Sequence, residues 1–480
     1  MSPGDLMDSE IIEKLSSIVG FENCKTTTAE LYTYSMDAGI HKSMPDAVIR
    51  PHSAKEVSEI VLLANECKFP VIARGGGSAL CGHSVAVDGG VIVDLQRMNK
   101  ILEIRVEDLY IRAEPGVICD DLNKALKQVG FWVPGPSSSN VATVGGMVAT
   151  NSSGDKALKY GATRDYVLGL EVVLPTGEII NVGSKTIKNS GGYQLEKLFC
   201  GMEGTLGIIT EIILKVIPLP ETKAAAIAVF EDIEKAGQCV SNIIAAKIIP
   251  SGLELMSNVC IRAVNKALNL GLPEVEAILL IEVDGDKKII SDLIKKVSEI
   301  CKSSGAISVD FTDDEKRIIE LWKGRKGMIP ALSKLNEDFV TVMLADDMSV
   351  PISKVPKAVT AFQKISDKYD IIVASYGHAG DGNLHTKVLM DPTSKEHWRQ
   401  AELAVQEIYD AVLELGGTVT GEHGIAITKA PFFHKERAGA VPVMKAIKRA
   451  LDPNNIMNPH KIMDWEDGFI THLRYKVESE

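Results

Sequence analysis

Two short, glycine-flanked segments of this chain carry side chains that could hold a metal ion. The first spans His378 to His385 (HAGDGNLH), and the second spans Gly421 to Gly424 (GEHG). Two imidazoles and the carboxylate of Glu422 would form a 2-His-1-carboxylate set, which suits Zn, Mn or Fe and leaves positions open for a substrate. The alternative is that one histidine hydrogen-bonds a turn carbonyl while the others lie on the surface. Because the side chains are clustered, we expect one metal-centred site.

A turn has to lie between the two histidines of the first segment. Side chains alternate between the two faces of a strand, so histidines seven residues apart would point in opposite directions on a continuous strand. The residues from Gly380 to Asn383 have turn-forming composition, and the flanking runs 371–375 and 386–390 are rich in β-forming residues. The sequence therefore predicts that a strand, a turn and a second strand carry His378 and His385.

The bulk composition is typical of a soluble enzyme with more than one domain. At 480 residues, with 45% hydrophobic and 24% charged residues, the chain can form two or three domains with sizeable cores. A net charge of -12 without a Lys/Arg-rich run argues against nucleic-acid binding. The eight cysteines are scattered and form no Cys-x-x-Cys pair, so we expect buried thiols rather than disulfides or an iron–sulfur cluster.

The amino terminus carries no targeting signal that the sequence reveals. It lacks a basic segment followed by an apolar run, and no stretch approaches the roughly 18 apolar residues of a membrane span. We expect a cytoplasmic protein without a transmembrane segment, which could still lie at a membrane through a partner.

Local patterns predict helices and strands in α+β order. A helix is expected from Asp8 or Ser9 to Gly20, and another begins at a capping box of Ser53 and Glu56 and leads into a strand at 71–73. Beyond it, one helix at 120–129 interrupts a series of short β runs, at 91–95, 109–113, 170–174, 178–182 and 208–217.

The chain divides into three predicted regions. The prolines at 218 and 220 close a first domain, residues 1–220. Residues 221–440 alternate strands and helices, which predicts an antiparallel sheet backed by helices and a role in shaping the substrate site. Residues 441–480 are predicted to fold back on the first domain.

Three glycine-rich elements lie in the first domain. Arg74 to Ser78 (RGGGS) follows a strand, so that successive N–H groups could converge on an anion, although it matches neither a P-loop nor the dinucleotide fingerprint. The stretch from Pro134 to Gly154 consists of small and hydroxyl residues; it suits close passage around a flat, phosphate-bearing cofactor, or is a long surface loop. Residues 203–210 place two glycines before a β run. Together they predict cofactor binding.

The ordered set of motifs resembles the FAD-linked oxidases of the vanillyl-alcohol-oxidase (PCMH-type) superfamily. The resemblance spans nearly the whole chain, and within the superfamily it is to the branch of glycolate oxidase flavin subunits, D-lactate dehydrogenases and D-2-hydroxyglutarate dehydrogenases. The motifs are RGGGS at 74–78, the 134–154 stretch, YGATRD at 160–165, EGTLG at 203–207, the two histidine segments and MNP at 457–459.

This resemblance implies an α+β fold class. It implies a two-subdomain FAD-binding PCMH-type domain, an antiparallel-sheet cap domain with helices, and a C-terminal segment that packs back near the flavin. The cofactor is expected to be non-covalent FAD, although Cys81 and His83 leave covalent attachment open. The residues that the resemblance assigns to FAD are Arg74, Gly75, Gly76, Gly77, Ser78, Pro134, Thr143, Gly145, Gly146, Asn151, Ser153, Glu203, Gly207, Ile209 and Asn458.

The resemblance also implies roles at the metal site. His378, His385 and Glu422 would hold a divalent metal (Zn, Mn or Fe), and His423 would be the general base. Arg325 would bind the substrate carboxylate, since a guanidinium pairs with a carboxylate through two hydrogen bonds. The alternative for Arg325 is a solvated basic end of a helix.

The expected activity is oxidation of a D-2-hydroxy acid to the 2-oxo acid, with hydride transfer to flavin N5. An apolar lining by Met328 and Ile329 would favour the short side chain of D-lactate, whereas Lys387 could serve a second carboxylate; glycolate and D-2-hydroxyglutarate therefore remain candidates. Electrons would pass to a separate electron-transfer flavoprotein or iron–sulfur subunit, within an oligomer or hetero-complex; the alternative acceptors are a quinone and O2.

Other activities compete with this one. The enzyme alternatives are an aromatic-alcohol oxidase and an ether-lipid synthase, neither of which explains the paired histidines together with Glu422 and Arg325. A different class is a flavoprotein subunit that relays electrons in a larger complex without oxidising a substrate of its own.

Overall fold

The structure is a computed structural model that describes residues 7–465 and 472–473. The chain forms two compact units. Of the described residues, unit 1 comprises 7–153, 162–219, 422–465 and 472–473, and unit 2 comprises 154–161 and 220–421. The sequence suggested boundaries after residues 220 and 440, whereas the units divide after residues 219 and 421.

The described residues form β-strands in both units. In chain order they are β1 Cys24–Lys25, β2 His41–Lys42, β3 Ala47–Ile49, β4 Val71–Arg74, β5 Val91–Asp94, β6 Ile101–Arg105, β7 Tyr110–Ala113, β8 Phe131–Trp132, β9 Val167–Val173, β10 Ile179–Gly183, β11 Ile208–Lys215, β12 Ile217–Pro218, β13 Thr222–Phe230, β14 Gly252–Ser257, β15 Ala277–Gly285, β16 Ser308–Thr312, β17 Val340–Val342, β18 Met348–Ser349, β19 Ile372–His378, β20 Asn383–Met390 and β21 His472–Leu473.

The described residues form α-helices in both units, and the three longest lie in unit 2. In chain order they are α1 Ser9–Val19, α2 Thr28–Tyr34, α3 Ala54–Cys67, α4 Cys119–Lys127, α5 Val144–Thr150, α6 Ala157–Tyr160, α7 Thr163–Tyr166, α8 Leu195–Phe199, α9 Ile233–Ala245, α10 Asn258–Leu268, α11 Lys287–Ser303, α12 Glu315–Lys326, α13 Met328–Leu332, α14 Val355–Tyr369, α15 Lys395–Glu414, α16 Ala430–Glu436 and α17 Val441–Leu451. Short 3-10 helices lie at Phe21–Asn23, Leu95–Arg97 and Ile352–Lys354.

The first subdomain of unit 1 is a small mixed sheet covered by helices. Its strand order is β1-β3-β5-β4, with β5 parallel to both β3 and β4. Helices α1 and α3 bury residues such as Leu15 and Ile60 against it. The chain returns here near its end, where the N–H of Asn458 donates to the carbonyl of Val71 at 2.9 Å.

The second subdomain of unit 1 is an antiparallel sheet with the order β10-β9-β11-β7-β6. Its core contains Leu122 and Leu126 of α4 together with Val144 and Val148 of α5. The predicted β runs 170–174 and 178–182 are confirmed as neighbouring strands, because β9 and β10 pair in antiparallel register.

Unit 2 is built on one antiparallel sheet with helices, as the fold-class prediction required. The strand order is β16-β13-β15-β14-β19-β20-β17, and β18 also pairs with β20. Helices α10 and α13 bury residues such as Ile261 and Leu332 in the core of this unit. The strongest sequence signal for the sheet is the apolar run of β15, whose residues from Ala277 to Asp284 are all buried.

Two local predictions were wrong in detail. Ser53 caps α3 by accepting from the N–H of Glu56, but the Glu56 carboxylate accepts from His52 instead of closing the capping box. The small-residue stretch after Pro134 was expected to pass around a cofactor or to form a long surface loop, yet it contains α5. Thr143 caps this helix through the N–H of Gly146, and Met147 is buried, because small residues allow a helix to pack closely.

Among the helices in the described ranges, none is both long and apolar enough to cross a membrane.

Candidate active site and flavin-binding elements

His378 and His385 lie on one face of the hairpin formed by β19 and β20. His378 pairs with Asn383, and His385 pairs with Tyr376. Directly paired residues share a face, and so do residues two apart on a strand, so this register turns both imidazoles the same way. The turn needs Gly382, which has φ 86° and would place an added Cβ 1.9 Å from the Val350 carbonyl oxygen. The prediction of a strand, a turn and a strand is therefore confirmed.

The two imidazoles point their Nε2 atoms at each other. These atoms lie 3.4 Å apart, and both side chains are buried. The Nδ1 of His378 lies 2.5 Å from Glu254 Oε1, and the Nδ1 of His385 lies 3.3 Å from Asp346 Oδ1. Each carboxylate favours the tautomer with the proton on Nδ1, which leaves a lone pair on each Nε2. Two lone pairs that face each other are well suited to a shared cation.

Each of these carboxylates is also held by a cationic side chain. Glu254 Oε2 accepts from Arg325 Nε at 2.5 Å, and Asp346 Oδ2 accepts from the buried Lys387. Burial alone would raise the pKa of the Glu254 carboxyl, but the positive charge of Arg325 and the hydrogen bonds from His378 and Arg325 outweigh it and hold the pKa far below its usual value. Glu254 is therefore a carboxylate at neutral pH. It presents an acceptor oxygen to each neighbour.

Arg325 is not a solvated helix end. It lies in α12 with only 12% of its side chain exposed, and its Cζ lies 4.8 Å from the ring centre of Tyr376. In the described part of the chain, its two terminal nitrogens have no hydrogen-bond partner. These two nitrogens could therefore donate hydrogen bonds to the carboxylate of a ligand.

Three acidic residues of this site lie outside the motifs recognised in the sequence: Glu254, Asp346 and Asp347. A carboxylate oxygen of Asp347 and a ring nitrogen of His385 lie within 4.8 Å of each other. Asp347 also accepts from Asn383 Nδ2 and from Thr420 Oγ1, each at 2.9 Å. A signal was available, because Glu254 interrupts the apolar residues of β14 and the two aspartates follow an apolar run. An acid in such a position needs a partner.

The residues that were expected to choose the substrate do not form an apolar lining together. Met328 is buried in the core of unit 2, whereas Ile329 is 44% exposed. These consecutive residues of α13 point in different directions, as helical geometry requires. Lys387, which could have served a second substrate carboxylate, forms an ion pair with Asp346. Met328 and Ile329 therefore give no structural support for a substrate with a short side chain.

In unit 1, two of the predicted FAD-binding elements lie against each other. A Cβ added at Gly75 would lie 2.2 Å from Thr143 Oγ1, and one added at Gly76 would lie 2.3 Å from the Val141 carbonyl oxygen. Only glycine allows the two loops to approach this closely. The loop is accessible, because Gly76 is exposed while its neighbours are partly exposed.

The side chain of Arg74, at the start of this loop, is bound by other protein groups. Its Nη1 donates to the Met36 carbonyl at 2.9 Å and to Ser84 Oγ at 3.0 Å, and its guanidinium lies over the ring of Tyr34. The side chain that was assigned to FAD is thus bound to protein groups, which leaves its backbone for a cofactor.

Glu203 and Asn458 bring two further motifs together. Asn458 Nδ2 donates to the carbonyls of His83 and Glu203, at 3.0 and 2.7 Å. The Glu203 carboxylate accepts from the N–H groups of Ile425 and Ala426 at 2.7 and 2.8 Å. Glu203 therefore holds the chain directly after the GEHG segment, a role that the sequence did not reveal.

The remaining assigned residues lie at different depths. Ile209 packs its side chain in the core of the second subdomain, and Asn151 uses its Oδ1 to accept from the Arg164 N–H at 2.9 Å. Pro134, Gly145 and Gly207 are buried, whereas Ser78, Gly146 and Ser153 are partly exposed.

Glu422 and His423 belong to unit 1, whereas His378, His385 and Arg325 belong to unit 2. Within unit 1, Glu422 Oε1 lies 3.6 Å from His423 Nε2, and Glu422 is buried.

These elements of unit 1 fit FAD. Glycines bring backbone N–H groups to an accessible loop, which suits a pyrophosphate. In addition, the buried Asn458 Oδ1 accepts no hydrogen bond from the described residues, so that it can accept one from a cofactor.

Comparison with known proteins agrees with both units. Residues 45–183 match the model of the FAD binding domain, and residues 219–462 match that of the FAD linked oxidases, C-terminal domain. The chain is 41% identical to glycolate oxidase subunit GlcD of Bacillus subtilis (strain 168), over 95% of this chain and 97% of the relative. It is 34% identical to the mitochondrial D-lactate dehydrogenase [cytochrome] of Arabidopsis thaliana, over 95% of this chain and 80% of the relative.

A solved structure shows the same fold. The structure of p-cresol methylhydroxylase with substrate bound matches with a TM-score of 0.78 at 18% identity, over 96% of this chain and 98% of that one. The convergence of the glycine loops and the two matched domains lead to one conclusion: the chain belongs to the FAD-linked oxidases and is a FAD-dependent oxidoreductase.

Proposed function

We propose that this protein is a FAD- and divalent-metal-dependent dehydrogenase that oxidises a D-2-hydroxy acid to the 2-oxo acid. The observation that carries the proposal is the pair of Nε2 atoms of His378 and His385, 3.4 Å apart with a carboxylate behind each ring. Metal-binding histidines are oriented in this way by carboxylates at the other ring nitrogen. The two relatives support the substrate class, since glycolate and lactate are both 2-hydroxy acids.

The metal site is proposed to consist of His378, His385 and Glu422. Glu422 follows Gly421, whose N–H donates to the Asp347 carbonyl at 2.9 Å within unit 2. A metal bound there would supply a Lewis acid that lowers the pKa of a substrate hydroxyl. Zn, Mn and Fe all suit this ligand set.

The protein residues have separate roles in the proposed reaction. The substrate loses its hydroxyl proton and a hydride from Cα, two electrons in all, and leaves as the 2-oxo acid. His423 accepts the proton on a ring nitrogen. Arg325 binds the substrate carboxylate through its two terminal nitrogens, whose orientation is fixed by Glu254. FAD, when bound, supplies the hydride acceptor.

The electrons are proposed to leave through a separate protein, either an electron-transfer flavoprotein or an iron–sulfur subunit. All eight cysteines lie within the described residues, and none belongs there to a group of three or more metal-ligating side chains. The chain therefore gives no sign of an iron–sulfur cluster of its own. We place the protein in the cytoplasm, within an oligomer or a complex with its acceptor.

Anaerobic reduction of the flavin tests the proposal. FAD-loaded and metal-replete protein is mixed with D- and L-lactate, glycolate, D-malate and D-2-hydroxyglutarate, and the flavin absorbance is followed. We expect bleaching by at least one acid, and by the D rather than the L form of lactate if lactate is a substrate. Bleaching by none of them would contradict the proposal and favour an electron-relay subunit.

A further inference from the structure

Glu254 binds groups in both halves of the proposed substrate site in unit 2. It is fully buried on β14, with Oε1 2.5 Å from His378 Nδ1 and Oε2 2.5 Å from Arg325 Nε. The three side chains come from three separate elements: β14, α12 and the end of β19. A single carboxylate thus ties the imidazole at the proposed metal site to the proposed carboxylate-binding guanidinium.

His378 and Arg325 each face Glu254 with the side-chain nitrogen that lies nearest their own backbone. His378 is bound through Nδ1, so its Nε2 faces His385. Arg325 is bound through Nε, so its two terminal nitrogens point away from Glu254 while the guanidinium lies over Tyr376. Glu254 therefore sets the direction in which each group presents its outer, ligand-binding nitrogens.

We propose that Glu254 is a positioning residue that orients the metal-facing histidine and the carboxylate-facing arginine together. This inference rests on the proposed function, because it assumes that a metal binds at His378 and a substrate carboxylate at Arg325. A ligand whose hydroxyl and carboxylate lie on neighbouring carbons needs both groups at one fixed spacing. Disturbing Glu254 should weaken two binding events that are measured separately.

The second carboxylate of the site provides a comparison. Asp346 faces His385 Nδ1 and Lys387, but in the described part of the chain it forms no hydrogen bond or ion pair with Arg325. It should therefore affect metal binding and leave carboxylate binding unchanged.

The isosteric variant Glu254→Gln is suited to the test. A carboxylate offers an acceptor oxygen to each neighbour, whereas an amide offers one oxygen and one NH₂ group. Whichever way the amide is turned, either His378 or Arg325 faces a donor. Exchange between the two orientations disturbs both.

Glu282→Gln is the matched control. Glu282 is likewise a buried glutamate of the same sheet, on β15, and it is paired with Lys156 and Lys223. The substitution also removes a buried charge. Within the described residues, however, Glu282 forms no hydrogen bond or ion pair with His378 or Arg325.

The experiment uses the full-length FAD-loaded protein, stripped of metal. Zn²⁺ affinity is measured by competition with a chromophoric chelator, without substrate. Pyruvate affinity is measured separately on the metal-free protein, by the change in flavin absorbance. For Glu254→Gln we expect Zn²⁺ affinity to fall by about 10- to 100-fold and pyruvate affinity to fall by at least about fivefold. Asp346→Asn should lower only the Zn²⁺ affinity. Glu282→Gln should leave both the Zn²⁺ affinity and the pyruvate affinity unchanged.

The outcomes separate this inference from the proposed function. If Glu254→Gln lowers only one affinity, or neither, while the wild type binds both probes, then the positioning role is wrong and the proposed function stands. If the wild type binds neither Zn²⁺ nor pyruvate, the proposed function itself fails.

A second variant is available if Glu254→Gln does not fold. Arg325→Met removes the Nε–H that holds Glu254, although Arg325 does not contact His378. We expect it to lower Zn²⁺ affinity by at least about fivefold as well as to abolish pyruvate binding. Unchanged Zn²⁺ affinity in this variant would overturn the inference.

Discussion

His378 and His385 direct their Nε2 atoms at each other across 3.4 Å, from paired strands of one hairpin. Sequence positions seven apart meet because the turn reverses the chain and the register returns both side chains to one face. We propose that this buried pair is a preformed site for a cation. Within unit 2, the carboxylates of Glu254 and Asp346 face the two Nδ1 atoms, and the ring centre of Tyr376 lies 5.3 Å from that of His385.

His378→Ala should abolish metal binding and flavin reduction by acid substrates while FAD stays bound. The loss of metal affinity should exceed the roughly 100-fold that removal of an outer-shell partner can cost. Metal content by mass spectrometry and flavin content by absorbance check the two parts. The control is His397→Ala, a histidine of α15 in the same unit whose Nδ1 accepts from the Asp391 N–H. Unchanged substrate-driven bleaching in His378→Ala would contradict the metal assignment.

Gly76→Ala should lower FAD affinity. The new Cβ would lie 2.3 Å from the backbone oxygen of Val141, so that the glycine loop has to move away from residues 141–143. We expect the purified variant to contain less than half of the normal FAD, measured by absorbance after gel filtration, with recovery at high FAD concentration. Gly439→Ala is the control, because an added Cβ there meets no atom within 4 Å. Normal FAD retention by Gly76→Ala would show that this loop does not cradle the cofactor.

Glu203→Gln should destabilise unit 1. The Glu203 carboxylate accepts from two buried backbone N–H groups, those of Ile425 and Ala426, and an amide can serve only one of them. Leaving a buried donor unpaired costs about 1–3 kcal/mol. Urea unfolding measures this loss, and hydrogen exchange should show faster exchange at residues 425 and 426. Glu196→Gln, at a buried glutamate of α8 that accepts no hydrogen bond within the described residues, should leave that exchange unchanged.

His41 should make the fold sensitive to acid. Burial, assisted by the charge of Lys461, lowers the pKa of His41 to about 4. The unfolded chain, with a histidine pKa near 6.5, binds the proton first, so the free energy of unfolding should fall as the pH drops from 6.5 to 4. The shift corresponds to at most about 3 kcal/mol. His41→Gln should flatten this part of the stability curve, measured by urea unfolding at several pH values. An unchanged slope would show that other groups cause it.

The local features of this protein could be predicted from its sequence. The hairpin of β19 and β20 follows from β-forming runs on either side of a glycine-rich turn, and α1 follows from its Asp8 cap and terminal Gly20. Such signals act over a few residues, so that they are present in the sequence itself. The helix α5 in the small-residue stretch was not predicted, because a helix this short depends on packing more than on composition.

The partners of the site were decided by the tertiary structure. Glu254 lies 71 residues from Arg325 and 124 residues from His378, and no local pattern links positions that far apart. Met328 was expected at the substrate and is buried in the core, because packing in unit 2 determines which way α13 turns. The sequence by itself determined which residue types could do the chemistry and the turn that pairs the histidines. Only the folded sheet decided which carboxylates stand behind them, since a buried charge is stabilised by whichever opposite charge the fold brings beside it.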